Sequence, residues 1–258
     1  MKSFTLFFSF AALAAALLFG CAPSPVGSYQ SAATYDRVPF SDTAKEAFRF
    51  QGPERNPVVV IHGFLGAKLG NAKSCEMVWG KFSARPPAAA ELQQLAHPMI
   101  LGRPLREIPT ALVPLSILDE ADVEVGMFNF TFPGYRTAID QLVKAGYVDA
   151  NKPLPKDRKY ADLFSFAYDW RRDLPETAER LHRFLLKKRE ELQKIYEREY
   201  GLKDYDVQFD IVAHSMGGLV ARYYLMYGDR DLPEDPAKVP VPDWSGAKLV
   251  DKVIVTGT

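Results

Sequence analysis

The stretch Asp206-Val-Gln-Phe-Asp-Ile-Val-Ala-His-Ser-Met-Gly-Gly218 decides the fold. Its first half alternates and then turns fully apolar, as a strand entering the centre of a sheet does. Its second half is built of small residues around Ser215, and Gly218-Leu-Val-Ala-Arg-Tyr-Tyr-Leu-Met-Tyr227 then reads as a helix stopped by Gly228. A serine at the apex of a strand, sharp turn and helix is a nucleophile elbow, which exposes its Oγ above the sheet. Gly217 and Gly218 belong to the motif because the turn has no room for side chains. Small-x-Ser-x-Gly alone arises by chance in many proteins; the strand before it and the helix after it give this one weight.

About 150 residues earlier stands Pro57-Val-Val-Val-Ile-His-Gly-Phe-Leu-Gly66. The β-branched run reads as a buried strand, and Gly63 ends it where the chain must turn tightly. In esterases and lipases the loop after such a strand supplies one backbone N–H of the oxyanion hole, and the residue after the nucleophile supplies the other. Here those donors are Phe64 and Met216. By itself the segment is equally a strand ending in a glycine turn; the serine elbow downstream favours the hydrolase reading.

Between the two pieces lie Gly146-Tyr147-Val148 and Phe166-Ala-Tyr-Asp-Trp-Arg171, followed by a long charged helix. With Gly63-Phe-Leu-Gly-Ala-Lys-Leu69 and Trp79, they resemble the lecithin:cholesterol acyltransferase family over about residues 57–258. The Tyr-Asp-Trp-Arg block is the most specific part. One departure is His62-Gly63, where the family usually has Pro-Gly. For the block itself a structural role is expected, a buried strand end held by a contact between Asp169 and Arg171.

The resemblance implies an α/β-hydrolase fold: a mostly parallel sheet with flanking helices and a cap or lid insertion. On that map residues 58–61, 163–167, 207–213 and 253–256 are parallel strands of one sheet. Leu181, Phe184, Leu185, Leu192 and Ile195 recur at helical spacing after Pro175, with Asp173 and Glu176 as capping residues. The run Lys187-Lys-Arg-Glu-Glu191 mixes signs and reads as a solvated helix face.

The resemblance also implies a triad aspartate and then a histidine after the nucleophile. All four histidines, His62, His97, His182 and His214, precede Ser215. His62 lies beside the oxyanion loop, the ring of His214 is expected to point away from Oγ, His97 is expected to be an ordinary loop histidine and His182 an ordinary helix residue. Asp229, Asp231 and Glu234 fall where the family does not place its acid. The expectation is therefore that the C-terminal third, with the triad Asp and His, is missing from these 258 residues. Such a chain is expected to be nearly inert, keeping only roughly 10³ to 10⁴ over water from binding and the oxyanion hole, and its sheet is expected to end on an uncovered edge strand.

At the N-terminus, Met1-Lys2 and the apolar stretch 6–19 form a signal peptide over residues 1–20, too short for the ~20 residues that span a bilayer. Leu18-Phe-Gly-Cys21 resembles the bacterial lipobox, which makes Cys21 the lipidated residue and residues 21–50 an anchor and tether. Several acyl chains hold a protein firmly at about 0.8 kcal/mol per buried CH₂. The expected location is a bacterial membrane, most consistent with the outer membrane, facing the periplasm or cell surface. With Cys21 acylated, Cys75 is a free thiol with no disulfide partner.

The domain proper is residues 51–258, with the cap or lid insertion at about 70–160, far longer than a simple crossover needs. Met77, Val78, Trp79 and Phe82 are candidates for its lipid-facing lip or equally for its core. Lys plus Arg and Asp plus Glu balance at 32 each, which argues against a nucleic-acid partner. The sequence has no metal-spaced Cys/His cluster and no phosphate-cradling glycine loop, so it implies no cofactor or metal, and it leaves the oligomeric state open. The function expected is a serine-dependent lipid acyl hydrolase or O-acyltransferase acting on phospholipid or acylglycerol esters. The alternatives are a periplasmic carboxylesterase for small esters, a non-catalytic lipid-binding lipoprotein and a truncated remnant.

Overall fold

A computed structural model describes residues 50–83, 89–97, 100–125, 128–233, 235 and 237–258. The expected signal peptide, Cys21 and all but the last residue of the expected tether lie outside them. Among the described residues no helix is long and apolar enough to cross a membrane.

The chain opens with β1 (Val58–Ile61), in which every residue is buried. Burial on both faces is what a continuous β-branched run dictates: Val59 and Ile61 enter one core, and Val58 and Val60 another. The insertion follows. It holds β2 (Ala67–Asn71), β3 (Met77–Trp79), β4 (Lys81–Ser83), the short helix α1 (Ala89–Leu95), β5 (Leu112–Ile117), β6 (Glu120–Val125) and β7 (Phe128–Pro133). These strands form two small sheets of their own, β3-β2-β5 and β4-β6-β7. The first of these strands begins at Ala67. Helix α2 (Arg136–Lys144) closes the insertion and lays Ile139 against Val58, Val60 and Leu163.

Next come β8 (Leu163–Phe166), α3 (Leu174–Tyr200), β9 (Phe209–His214), α4 (Met216–Tyr227) and β10 (Val250–Thr256). The main sheet runs β10-β9-β1-β8, and every pairing in it is parallel. All four strands expected from sequence are present. β9 starts at Phe209 rather than 207, and β10 starts at Val250 rather than 253. β10 lies at one edge with Ile254 and Val255 exposed.

Helix α3 buries Leu181, Leu185 and Leu192, with Phe184 and Ile195 partly covered. Asp173 caps it, its carboxylate accepting the Glu176 N–H at 3.0 Å. Glu176 is not the reciprocal cap expected from sequence. Its own carboxylate takes Arg172 Nε at 2.7 Å and Arg180 at 2.9 Å, because two guanidiniums outcompete one backbone N–H. Burial pushes the Glu176 carboxyl up, but the two arginines outweigh it and hold it below its ordinary value.

Candidate active site

Ser215 stands between the last residue of β9 and the first of α4 with φ 51 and ψ −126. This is the mirror image of the extended region, which a non-glycine residue occupies only when its surroundings force it. Three hydrogen bonds to its backbone do so. Ser215 N–H donates to Thr256 O at 2.9 Å, Gly218 N–H donates to Ser215 O at 2.8 Å, and Thr258 Oγ1 donates to the same oxygen at 2.9 Å. The glycines provide the space. A Cβ on Gly217 would come within 2.5 Å of His62 O and 2.7 Å of Ile61 O, so the helix start rests directly on the end of β1. A Cβ on Gly218 would meet Val255 Cγ1 at 2.7 Å.

Gly63 brings the second piece to the first. A Cβ there would lie 2.8 Å from Ser215 Cβ and 3.2 Å from His214 Nδ1, so only a bare backbone fits. Beyond it the chain turns through Phe64 and Leu65, closed by Gly66 N–H to Gly63 O at 3.1 Å. Leu65 sits at the third position with φ 63, where such turns ordinarily carry glycine. Both halves of the site therefore hold a non-glycine residue in left-handed backbone. Phe64 and Met216, the two expected oxyanion donors, flank this junction. The turn and cap hydrogen bonds give neither N–H an acceptor among the described residues.

His62 is fully buried between these elements and stacks on Tyr168 at 4.0 Å between centroids. Tyr168 N–H donates to its Nε2 at 3.1 Å, which makes that nitrogen an acceptor and places the proton on Nδ1. Nδ1–H then donates to Gly63 O at 2.8 Å. Burial lowers its pKa to about 4, so the ring is neutral at pH 7. The Gly63 C=O and the Phe64 N–H belong to one trans peptide and point in opposite directions. By gripping the oxygen, His62 aims the N–H.

The ring of His214 faces Tyr135, 2.8 Å from Nδ1 to the hydroxyl, and no hydrogen bond joins it to Ser215 among the described residues. His97 is a loop residue, as expected, but it is engaged: Arg172 donates to its Nε2 at 2.7 Å. His182 lies on α3 with Nδ1 3.0 Å from Tyr224 OH. Asp231 pairs with Arg106 at 2.7 Å, away from the elbow. Glu234 lies outside the described residues. Cys75 is free and exposed.

The expected contact of Asp169 with Arg171 is a buried two-bond pair, Nε to Oδ1 at 2.8 Å and NH2 to Oδ2 at 2.6 Å. The same guanidinium donates to Leu95 O and Thr110 Oγ1, and Arg172 donates to Ile108 O. Residues 169–172 thus fasten the insertion to the end of β8. Of the lip candidates, Trp79 turns inward. Its Nε1 donates to Leu65 O at 3.1 Å, and its ring meets Trp170 and Phe82 edge-on. Met77, Val78 and Phe82 line a cleft of about 280 Å³ together with Glu76, Lys81 and Gln94. Neither Ser215 nor Phe64 lines that cleft, so its size is no guide to the chemistry. Phe64 is 59% exposed and packs edge-on against Trp170 at 5.0 Å.

Tyr135 is the residue that sequence reasoning missed. The Pro133-Gly134 turn before it is a legible signal for the start of α2, but nothing in one sequence says that the next side chain reaches back to Gly63.

The sequence profile of the lecithin:cholesterol acyltransferase family matches residues 127–254, from β7 through the elbow into β10. The chain belongs to this family. The match takes in the Tyr168-Asp-Trp-Arg171 block and Ser215, while β1 and the Gly63–Gly66 turn join the site through the fold alone. Comparison with curated proteins and with solved structures returned no match. Membership in the lecithin:cholesterol acyltransferase family implies an acyl-transferring or hydrolytic enzyme, and the parallel sheet with its helices is consistent with an α/β-hydrolase-like fold.

Proposed function

We propose that the protein is a serine-dependent lipid acyl hydrolase or O-acyltransferase that works through an acyl-enzyme on Ser215. The observation that carries this reading is the strained Ser215 backbone with the bare Gly63 packed against its Cβ. That close packing of the Gly63 turn on the elbow supports the Phe64 and Met216 N–H groups as the two donors. Ser215 Oγ attacks the ester carbonyl carbon, and the charge that develops on the carbonyl oxygen is received by those two donors. Collapse breaks the bond to the lipid alcohol, which leaves with the proton that Oγ gave up; none of the described histidines bonds Ser215, so that proton passes through water or a base outside the described residues. Water or a second alcohol then attacks the acyl-enzyme, takes the acyl group and returns a proton to Oγ. Family membership and the exposed Phe64 beside Trp170 support a phospholipid or acylglycerol ester as substrate.

The test is fluorophosphonate labelling followed by peptide mapping, with turnover of phospholipid and of short-chain nitrophenyl esters measured alongside. We expect the label on Ser215 and its loss, with turnover, in Ser215→Ala. Equal labelling and turnover in the two proteins overturns the reading. A strong preference for short chains moves the assignment to a small-ester carboxylesterase. Membrane attachment through lipidated Cys21 is part of the same proposal: a Cys21→Ser protein should lose palmitate incorporation and leave the membrane fraction, and unchanged fractionation refutes it.

A further inference from the structure

Tyr135 stands where the two halves of the site meet. It is the residue just before α2, and its ring packs with the buried cluster of Val58, Ile117 and Ile139, which holds the side chain in place. Gly63 N–H donates to its oxygen at 2.6 Å. His214 Nδ1 lies 2.8 Å from the same oxygen. Burial raises the phenol pKa above its ordinary value, so the hydroxyl keeps its proton. The Gly63 N–H takes one lone pair, and the His214 contact is made by the O–H or by the second lone pair according to the ring's tautomer. One oxygen therefore ties the residue before Phe64 to the residue before Ser215.

We propose that Tyr135 is a positioning residue of the oxyanion hole, whose hydroxyl holds the turn carrying the Phe64 N–H in register with the elbow carrying the Met216 N–H. This rests on the reading of Ser215 as the nucleophile. Its chemical basis is that two donors from separate loops serve one oxyanion only if the loops keep their spacing. A displacement of a few tenths of an ångström lengthens both hydrogen bonds in the transition state and leaves ground-state binding alone. Nothing else described spans this gap with a side chain. His62 grips the Gly63 oxygen from the β8 side, and Trp79 grips Leu65 O from the insertion. Of these three side chains, only Tyr135 also reaches the elbow.

The experiment is Tyr135→Phe, which removes one oxygen and keeps the ring in its cluster. We expect kcat and the rate of fluorophosphonate labelling to fall about 10- to 100-fold, below the 10² to 10³ lost with a whole oxyanion donor, and KM to stay within about twofold. Independently of turnover, amide exchange at Gly63 should speed up severalfold in the variant, since its only acceptor is gone. A kcat within twofold of the parent, with Gly63 exchange accelerated, overturns the positioning role. Unchanged Gly63 exchange overturns the hydrogen bond itself. Ser215→Ala, measured beside it, keeps the two claims apart. If Ser215→Ala matches the parent in labelling and turnover, the nucleophile assignment fails, and the Gly63 exchange ratio then decides the bridge alone.

Discussion

Replacing Ser215 with glycine should make the protein more stable while removing its proposed nucleophile. The φ of 51 and ψ of −126 at this position place Cβ where a side chain is disfavoured, and such a residue stores about 1–3 kcal/mol of strain. Glycine adopts the mirror-image region freely, so the variant recovers that energy. Against it stands the greater freedom of glycine in the unfolded chain, about 0.4–1 kcal/mol. The net gain is about 0.5–2 kcal/mol. For a domain of this size 1 kcal/mol moves Tm by about 2–4 °C, which gives a rise of roughly 1–8 °C. Ser215→Ala is the control, because alanine keeps Cβ and relieves nothing. The assay is calorimetric or fluorescence-detected unfolding of the three proteins at one pH and salt concentration. A Ser215→Gly protein no more stable than Ser215→Ala would refute the claim that the elbow is strained.

Two further changes probe the supports of the site. His62 has a folded pKa of about 4 against 6.5 for the free side chain, the effect of burial. The unfolded chain therefore binds the extra proton first. Stability from this group is complete above pH 6.5 and falls as the pH drops toward 4, by about 3 kcal/mol at most. Urea unfolding across that range should show a steeper loss in the parent than in His62→Gln, and parallel slopes would count against a neutral buried ring. Arg171→Ala should cost about 3–5 kcal/mol, because Asp169, with its side chain 4% exposed, is left charged and unpaired. The same variant should open residues 95–110 to limited proteolysis; an unaltered cleavage pattern would mean that the insertion is held elsewhere.

The sheet was legible in the sequence because its strands carry an unbroken physical signal. The run Val58–Ile61 is apolar on both faces and so reads as a buried strand, while its place among parallel neighbours was implied by the family resemblance. The elbow was legible because small residues and a serine between a strand and a helix admit few other geometries. The internal strands of the long segment between β1 and β8 were not. Its strands are short and its apolar residues irregular, since they serve two small sheets and a contact with the main sheet at once. Glu176 misled for a related reason: the Asp-x-x-Glu pattern encodes a cap, yet the arginines four residues to either side offered its carboxylate a stronger partner. Tyr135 was invisible, since its two partners lie 72 and 79 residues away and local patterns say nothing of such distances.

Residues 168–172 have a consequence that reaches past stability. Tyr168 gives its N–H to His62 and its hydroxyl to His62 O, while Arg171 and Arg172, three and four residues on, hold Leu95, Ile108 and Thr110. Residues 168–172 therefore couple the 95–110 part of the insertion to the turn that carries Phe64, alongside the direct grip of Trp79 on Leu65 O. A tug on the insertion is delivered to the oxyanion turn within a few bonds. Substitutions around residues 95–110, far from Ser215 in the chain, should thus surface as slowed chemistry before they surface as unfolding.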